Sequence, residues 1–178
     1  MTVLVGAIGD KAILASDSSC NTGNLCVYTE TKKVLRFSNF LIGFCGEFIG
    51  HKALLKAHQN PKYRNMEIND ESDCIVLQTF LYNYLRKEYN KSLTFDKKDN
   101  QIPEFIVVTK DHIYSIDENS ITSNKEFMCS GSGGDIALGS MYTNYYVHDN
   151  IEEIVEYATQ AACQNCSTCK EPVRIEIL

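Results

Sequence analysis

Met1-Thr2-Val3-Leu4-Val5-Gly6-Ala7-Ile8-Gly9-Asp10-Lys11-Ala12-Ile13-Leu14-Ala15-Ser16-Asp17 is the stretch that decides the fold. Two apolar runs, from Val3 to Ile8 and from Ala12 to Ala15, flank a Gly9-Asp10 turn signal, the pattern of a β-hairpin with both strands buried. Thr2 directly follows a methionine, and a small residue there permits removal of Met1, which leaves a threonine with a free α-amine. Its hydroxyl is a weak nucleophile, but an α-amine titrating near ~7.7–8.0 can accept the hydroxyl proton. One residue then supplies both nucleophile and base. Read alone, Met-Thr is first of all a small second residue with no task, so the rest of the chain has to decide.

Outward from the hairpin, Ser18-Ser19-Cys20-Asn21-Thr22-Gly23-Asn24 is polar and turn-prone and reads as a loop. Residues 32–37, a Ser38-Asn39 turn and Phe40 to Gly46 read as a second hairpin. Helical spacing follows over 47–59, stopped by Asn60-Pro61. A second helix is expected from Asn69-Asp70-Glu71-Ser72 through Leu85, its acidic start suiting the positive end of the helix dipole. Residues 90–101 read as an exposed loop. Strands are expected at 104–109 and 112–116 around a Lys110-Asp111 turn, and at 126–130 leading into Gly131-Ser132-Gly133-Gly134. A helix is expected over 135–147. Another should open at Asn150, which forms a capping box with Glu153, and run to Cys163. Val173 to Leu178 alternates as a half-buried strand. Hairpin pairing makes the sheets antiparallel, and helix pairs at two places predict an α+β fold with a helical layer on each side of a two-sheet stack.

The 178 residues fit one domain, 1–178. A net charge of -6 with scattered basic residues argues against nucleic acid or an anionic membrane as partner. No apolar run approaches the roughly 18 to 20 residues of a membrane span, and no secretory pattern opens the chain, so the expected compartment is cytoplasmic. The eight cysteines are then expected as free thiols.

Thr2 opening a strand, Ser16-Asp17-Ser18, Gly23-Asn24, Lys32-Lys33-Val34, Gly43-Phe44-Cys45-Gly46, Gly131-Ser132-Gly133-Gly134 and Ile175-Glu176-Ile177-Leu178 occur in one order along the chain. In that order they resemble the proteasome β-type N-terminal nucleophile hydrolases, most closely the HslV (ClpQ) peptidases. The resemblance implies a four-layer αββα sandwich and a threonine-type endopeptidase. It gives Thr2 as nucleophile once Met1 is removed, Lys33 as the cation beside it, Asp17 as the partner of Lys33, and the Gly46 N–H as oxyanion donor. Ser132 would orient the Thr2 amine, and Phe44 and Cys45 would wall the substrate pocket. A homo-oligomeric ring resembling a double hexamer, a AAA+ ATPase unfoldase of the HslU kind and unfolded polypeptide substrates are implied with it. The Thr2 to Asp17 spacing is one residue shorter than the resemblance leads one to expect. The first turn must therefore be tight, or Met1 takes the nucleophile's place and the chain is inactive.

Cys163, Cys166 and Cys169 stand three apart and can be read as thiolate metal ligands or as simple buried thiols. The resemblance implies a third reading, in which their main-chain carbonyls, oxygen donors at a helix end, hold a structural sodium ion. No cofactor is expected for the chemistry. Two rival functions remain open: a non-catalytic proteasome-like subunit that keeps Met1, and an amidohydrolase acting on small amides.

Overall fold

Val3–Ile8 (β1) and Ala12–Ser16 (β2) form the expected hairpin, in a computed structural model that describes residues 2–22, 25–91 and 102–178. Ile8 faces Ala12, which leaves only Gly9, Asp10 and Lys11 to turn the chain, and Gly9 N–H donates to the Lys11 carbonyl at 2.9 Å. The first turn is thus tight, as the short spacing to Asp17 requires. Phe127–Gly131 (β10) pairs with the other edge of β1, and Arg174–Ile177 (β11) with β2, giving a four-stranded antiparallel sheet ordered β10-β1-β2-β11.

The second hairpin, Val34–Arg36 (β5) and Phe40–Cys45 (β6), enters a different sheet. With Glu104–Thr109 (β7), Ile113–Ile116 (β8) and Ile121–Asn124 (β9) it makes a five-stranded antiparallel sheet ordered β5-β6-β7-β8-β9. β9 is an addition to the strands expected from sequence; its Thr122, Ser123 and Asn124 are exposed, so no apolar alternation marks it. The polar stretch after Asp17 is not a plain loop either. Ser19–Thr22 (β3) and Leu25–Tyr28 (β4) pair as a short ribbon.

Ile49–Gln59 (α1), Pro61–Arg64 (α2) and Glu71–Lys91 (α3) cover the five-stranded sheet, and Gly134–Asn144 (α4) and Ile151–Asn165 (α5) cover the four-stranded one. α2 is unexpected because Asn60-Pro61 acts twice: it stops α1, and then the Asn60 side chain caps Lys62 N–H at 3.0 Å with Pro61 in the first turn. At α5 the Asn150 cap accepts from Glu152 and Glu153 N–H at 3.2 and 3.4 Å, while Glu153 takes the Asn150 side-chain amide instead of closing a full capping box.

Strand alternation divides the apolar side chains among three cores. Val3, Val5, Ile13 and Ala15 face α4 and α5; Leu4, Leu14, Leu41, Ile106 and Val108 meet between the sheets; Phe40, Ile42, Phe44, Phe105 and Val107 face α1 and α3. The result is the four-layer αββα sandwich. Each fully buried Leu or Phe contributes about 1.5–3 kcal/mol, so the central layer alone binds the sheets firmly. Among the described residues no helix is long and apolar enough to cross a membrane. Met1, Gly23-Asn24 and residues 92–101 lie outside the described residues; of the loop expected over 90–101, Asn90 and Lys91 belong to the end of α3.

Candidate active site

Thr2 stands at the start of β1, Asp17 directly after β2, and Lys33 directly before β5, so both sheets contribute one edge of a single site. All three are buried, Asp17 completely and the other two at 2 % exposure. Lys33 is fixed through its main chain as well, since its carbonyl accepts Phe44 N–H at 3.3 Å across to β6. Its Nζ donates to Asp17 Oδ1 at 2.6 Å and also to Thr2 Oγ1. Thr2 Oγ1 in turn donates to Asp17 Oδ1. The hydroxyl oxygen therefore faces a cation while its proton faces a carboxylate.

Asp17 gathers six donors. Oδ1 accepts from Lys33, Thr2 and Val3 N–H (3.1 Å), and Oδ2 accepts from Ser19 N–H (3.0 Å), Ser19 Oγ and Lys170 N–H (3.2 Å). Burial pushes the Asp17 carboxyl up, but the Lys33 charge, the Lys33 hydrogen bond and the Ser19 and Thr2 hydroxyls together outweigh it and hold the group below its usual range. The carboxylate thus stays charged beside Lys33.

The segment after α5 closes over this carboxylate. Ser18 N–H and Oγ donate to the carbonyls of Lys170 (2.8 Å) and Pro172 (2.6 Å), and Ser19 Oγ, which shares its one proton with Asp17 Oδ2, lies 2.8 Å from the Thr168 carbonyl. Ser19 and Thr168 carry no signal in the sequence, and Ser18 enters only as part of Ser16-Asp17-Ser18, because their partners lie some 150 positions away. Sequence could have hinted at them only through two consecutive hydroxyls behind a buried Asp.

Ser132 reaches Thr2 at the carbonyl, at 3.3 Å, and shares a 2.7 Å hydrogen bond with the Thr168 hydroxyl. Gly133 N–H donates to the same Thr2 carbonyl at 3.4 Å. Gly131 has φ +91°, and a Cβ there would come 2.2 Å from the Thr2 carbonyl oxygen, so only glycine lets β10 run this close to β1. Gly46, the expected oxyanion donor, follows β6 with φ 92°, a second left-handed position that turns the main chain. Cys45, one residue earlier, has its Cβ 3.2 Å from that Gly131 Cβ position and its thiol 3.1 Å from Ser130 Oγ.

Phe44 and Cys45 cannot both wall one pocket, since adjacent strand residues point to opposite faces. Cys45 lies between the sheets, where burial and the neighbouring Glu104 carboxylate push its thiol up to about 12. Phe44 packs instead in the helix-facing core against Phe48 and His51 and is 2 % exposed, so its ring fills core here. Among the described residues no group of three His, Cys, Asp or Glu side chains is arranged to hold a metal, which removes support from a thiolate cluster at Cys163, Cys166 and Cys169. For the carbonyl reading, Cys163 lies in the last turn of α5, and Cys166, its C-cap, already accepts Cys169 N–H at 3.1 Å. A carbonyl oxygen keeps a second lone pair, so this donor set remains compatible with a hard monovalent cation.

A four-layer αββα sandwich with a buried threonine at the head of its first strand, flanked by lysine and aspartate, defines the N-terminal nucleophile class. The chain belongs to the proteasome subunit family, which matches residues 2–177. It is 26 % identical over 163 residues to proteasome subunit beta 2 of Ignicoccus hospitalis, covering 90 % of this chain and 74 % of the relative. Against proteasome subunit beta 2 of Staphylothermus marinus the identity is 25 % over 168 residues, covering 90 % and 77 %. Among solved structures, Thiobacillus denitrificans BPH in complex with epoxomicin superposes with a TM-score of 0.79 at 16 % identity, over 100 % of this chain and 98 % of that one. Eukaryotic HslV from Trypanosoma brucei superposes with a TM-score of 0.70 at 20 % identity, over 100 % and 99 %. At such identities these structures establish the fold.

Proposed function

We propose that the chain is a threonine-type endopeptidase of the HslV-like kind, working in the cytoplasm as a homo-oligomeric ring on unfolded polypeptides delivered by a AAA+ ATPase. The observation that carries the reading is the convergence of Lys33 Nζ and Asp17 Oδ1 on Thr2 Oγ1 in a buried site.

In the proposed reaction, removal of Met1 frees the Thr2 amine. Thr2 Oγ bonds to the substrate carbonyl carbon while its proton passes to that amine, directly or through a water. Lys33 stabilises the oxygen as it becomes anionic and lowers the amine's proton affinity; Asp17 keeps Lys33 in place. The oxyanion of the tetrahedral intermediate takes the Gly46 N–H. The C–N bond then breaks, the leaving amine takes the proton from the Thr2 ammonium, and water cleaves the resulting ester to restore Thr2. Ser132 and Thr168 position Thr2 through its carbonyl. The main-chain carbonyls of Cys163, Cys166 and Cys169 are proposed as donors to a structural sodium ion, which takes no part in these steps. Replacing sodium with a large organic cation is expected to lower the melting temperature.

Degradation of an unfolded protein such as casein tests the reading. Wild type should cleave it, and Thr2→Ala and Lys33→Ala should each lose at least about 100-fold, the scale of removing an electrostatic or acid-base group. A second reading, a non-catalytic subunit that keeps Met1, is favoured by one observation: the Thr2 hydroxyl is almost fully enclosed and already holds both neighbours. Equal background rates in wild type and Thr2→Ala would select it.

A further inference from the structure

Cys166-Ser167-Thr168-Cys169 forms a turn directly after α5, closed by Cys169 N–H donating to the Cys166 carbonyl at 3.1 Å. A β-turn holds its first and fourth Cα atoms within about 7 Å, and a disulfide spans Cα separations of roughly 4.4–6.8 Å, so this backbone needs little adjustment to be cross-linked. The side chains are gathered too. Cys166 Sγ lies 3.5 Å from the Ser132 carbonyl and Cys169 Sγ lies 3.9 Å from Ser132 Oγ, so both thiols meet the same residue. An open cavity of ≈600 Å³ lined by Cys163, Cys166, Cys169, Lys170 and Glu171 gives small molecules access, and Cys166 itself is half-exposed.

We propose that Cys166 and Cys169 form a dithiol site oxidised reversibly by small hydroperoxides to a disulfide across the turn. The peroxide transfers one oxygen to a thiol, giving a sulfenic acid and an alcohol, or water from hydrogen peroxide itself. The second thiol then displaces that oxygen, the S–S bond forms and water leaves. Two electrons pass from the dithiol to the peroxide, and both thiol protons end in the products. Nothing in this step depends on the peptidase reading. Its place matters because Thr168, inside the closed ring, donates or accepts at Ser132 Oγ and anchors Ser19 through its carbonyl, and Ser19 holds Asp17. Cys166 Sγ also lies 3.1 Å from the Thr168 hydroxyl, a contact in which a cross-linked sulfur has no proton left to donate.

The experiment exposes the full chain to equimolar hydrogen peroxide, alkylates the remaining thiols and maps the peptides by mass spectrometry. The expected result is a Cys166 to Cys169 cross-link with loss of two hydrogens, reversed by dithiothreitol, retained in Cys163→Ser and absent in Cys166→Ser and in Cys169→Ser. Alkylation of all eight cysteines after peroxide, a cross-link using Cys163, or a disulfide between two chains would each overturn the proposal.

Discussion

Lys33 Nζ sits 2.6 Å from Asp17 Oδ1, and the two side chains are 2 % and 0 % exposed. A charge pair so enclosed is strong only while both members are present, because either one alone is a buried ion without a counter-charge. Lys33→Ala is therefore expected to lower the unfolding free energy by about 3–5 kcal/mol, read from denaturant midpoints. Lys33→Met combined with Asp17→Asn removes both charges and should recover part of that loss. A single variant as stable as wild type would show that the pair carries no such weight.

The same pair predicts an acid limb. Asp17 has its folded pKa below the unfolded value near ~3.9. A carboxyl depressed in this way contributes stability that is complete above the unfolded pKa and disappears as pH falls through the folded one. Melting temperatures measured from pH 7 downward should fall more steeply below about pH 4 in wild type than in Asp17→Asn. Parallel curves would remove Asp17 as the source.

Ser19→Ala deletes a hydroxyl whose one proton lies between two acceptors, the Asp17 carboxylate and the Thr168 carbonyl. The expected cost is about 1–3 kcal/mol, since the donor that these two buried acceptors share is lost. Faster hydrogen exchange at residues 166–170 should accompany it. Unchanged exchange there would mean the segment is held by other contacts.

Gly131→Ala asks two impossible things of the backbone: a side chain at φ +91° and a Cβ 2.2 Å from the Thr2 carbonyl oxygen. It should destabilise by more than about 1 kcal/mol and displace Thr2, and with it the proposed peptidase activity. Gly139→Ala is the control, because its added Cβ meets nothing within 4 Å, and helix propensity predicts a gain of up to about 1 kcal/mol. Similar unfolding midpoints for the two variants would contradict the close approach of β10 to Thr2.

What was legible in the sequence follows the reach of each signal. Both hairpins, the helices at 49–59, 71–91 and 151–165 and the last strand announce themselves through local periodicity and caps. That the hairpins enter different sheets is not local, because Val3–Ile8 and Phe40–Cys45 are both apolar runs buried almost throughout and only their partners differ. The β3–β4 ribbon escaped because Ser18 and Ser19 are buried by carbonyls from residues 168–172, a tertiary cause with no periodicity. Thr2, Asp17, Lys33 and Ser132 were named through resemblance, and the structure brings them together. Phe44 was named the same way, yet strand alternation sends its ring into the opposite core.

Incubating the purified protein with a threonine-directed covalent peptidase inhibitor and weighing the intact chain tests the central claim most directly. The account predicts a chain lacking Met1 that gains one equivalent of the compound at Thr2, with no gain in Thr2→Ala. A folded wild-type chain that still carries Met1 and stays unmodified would contradict it.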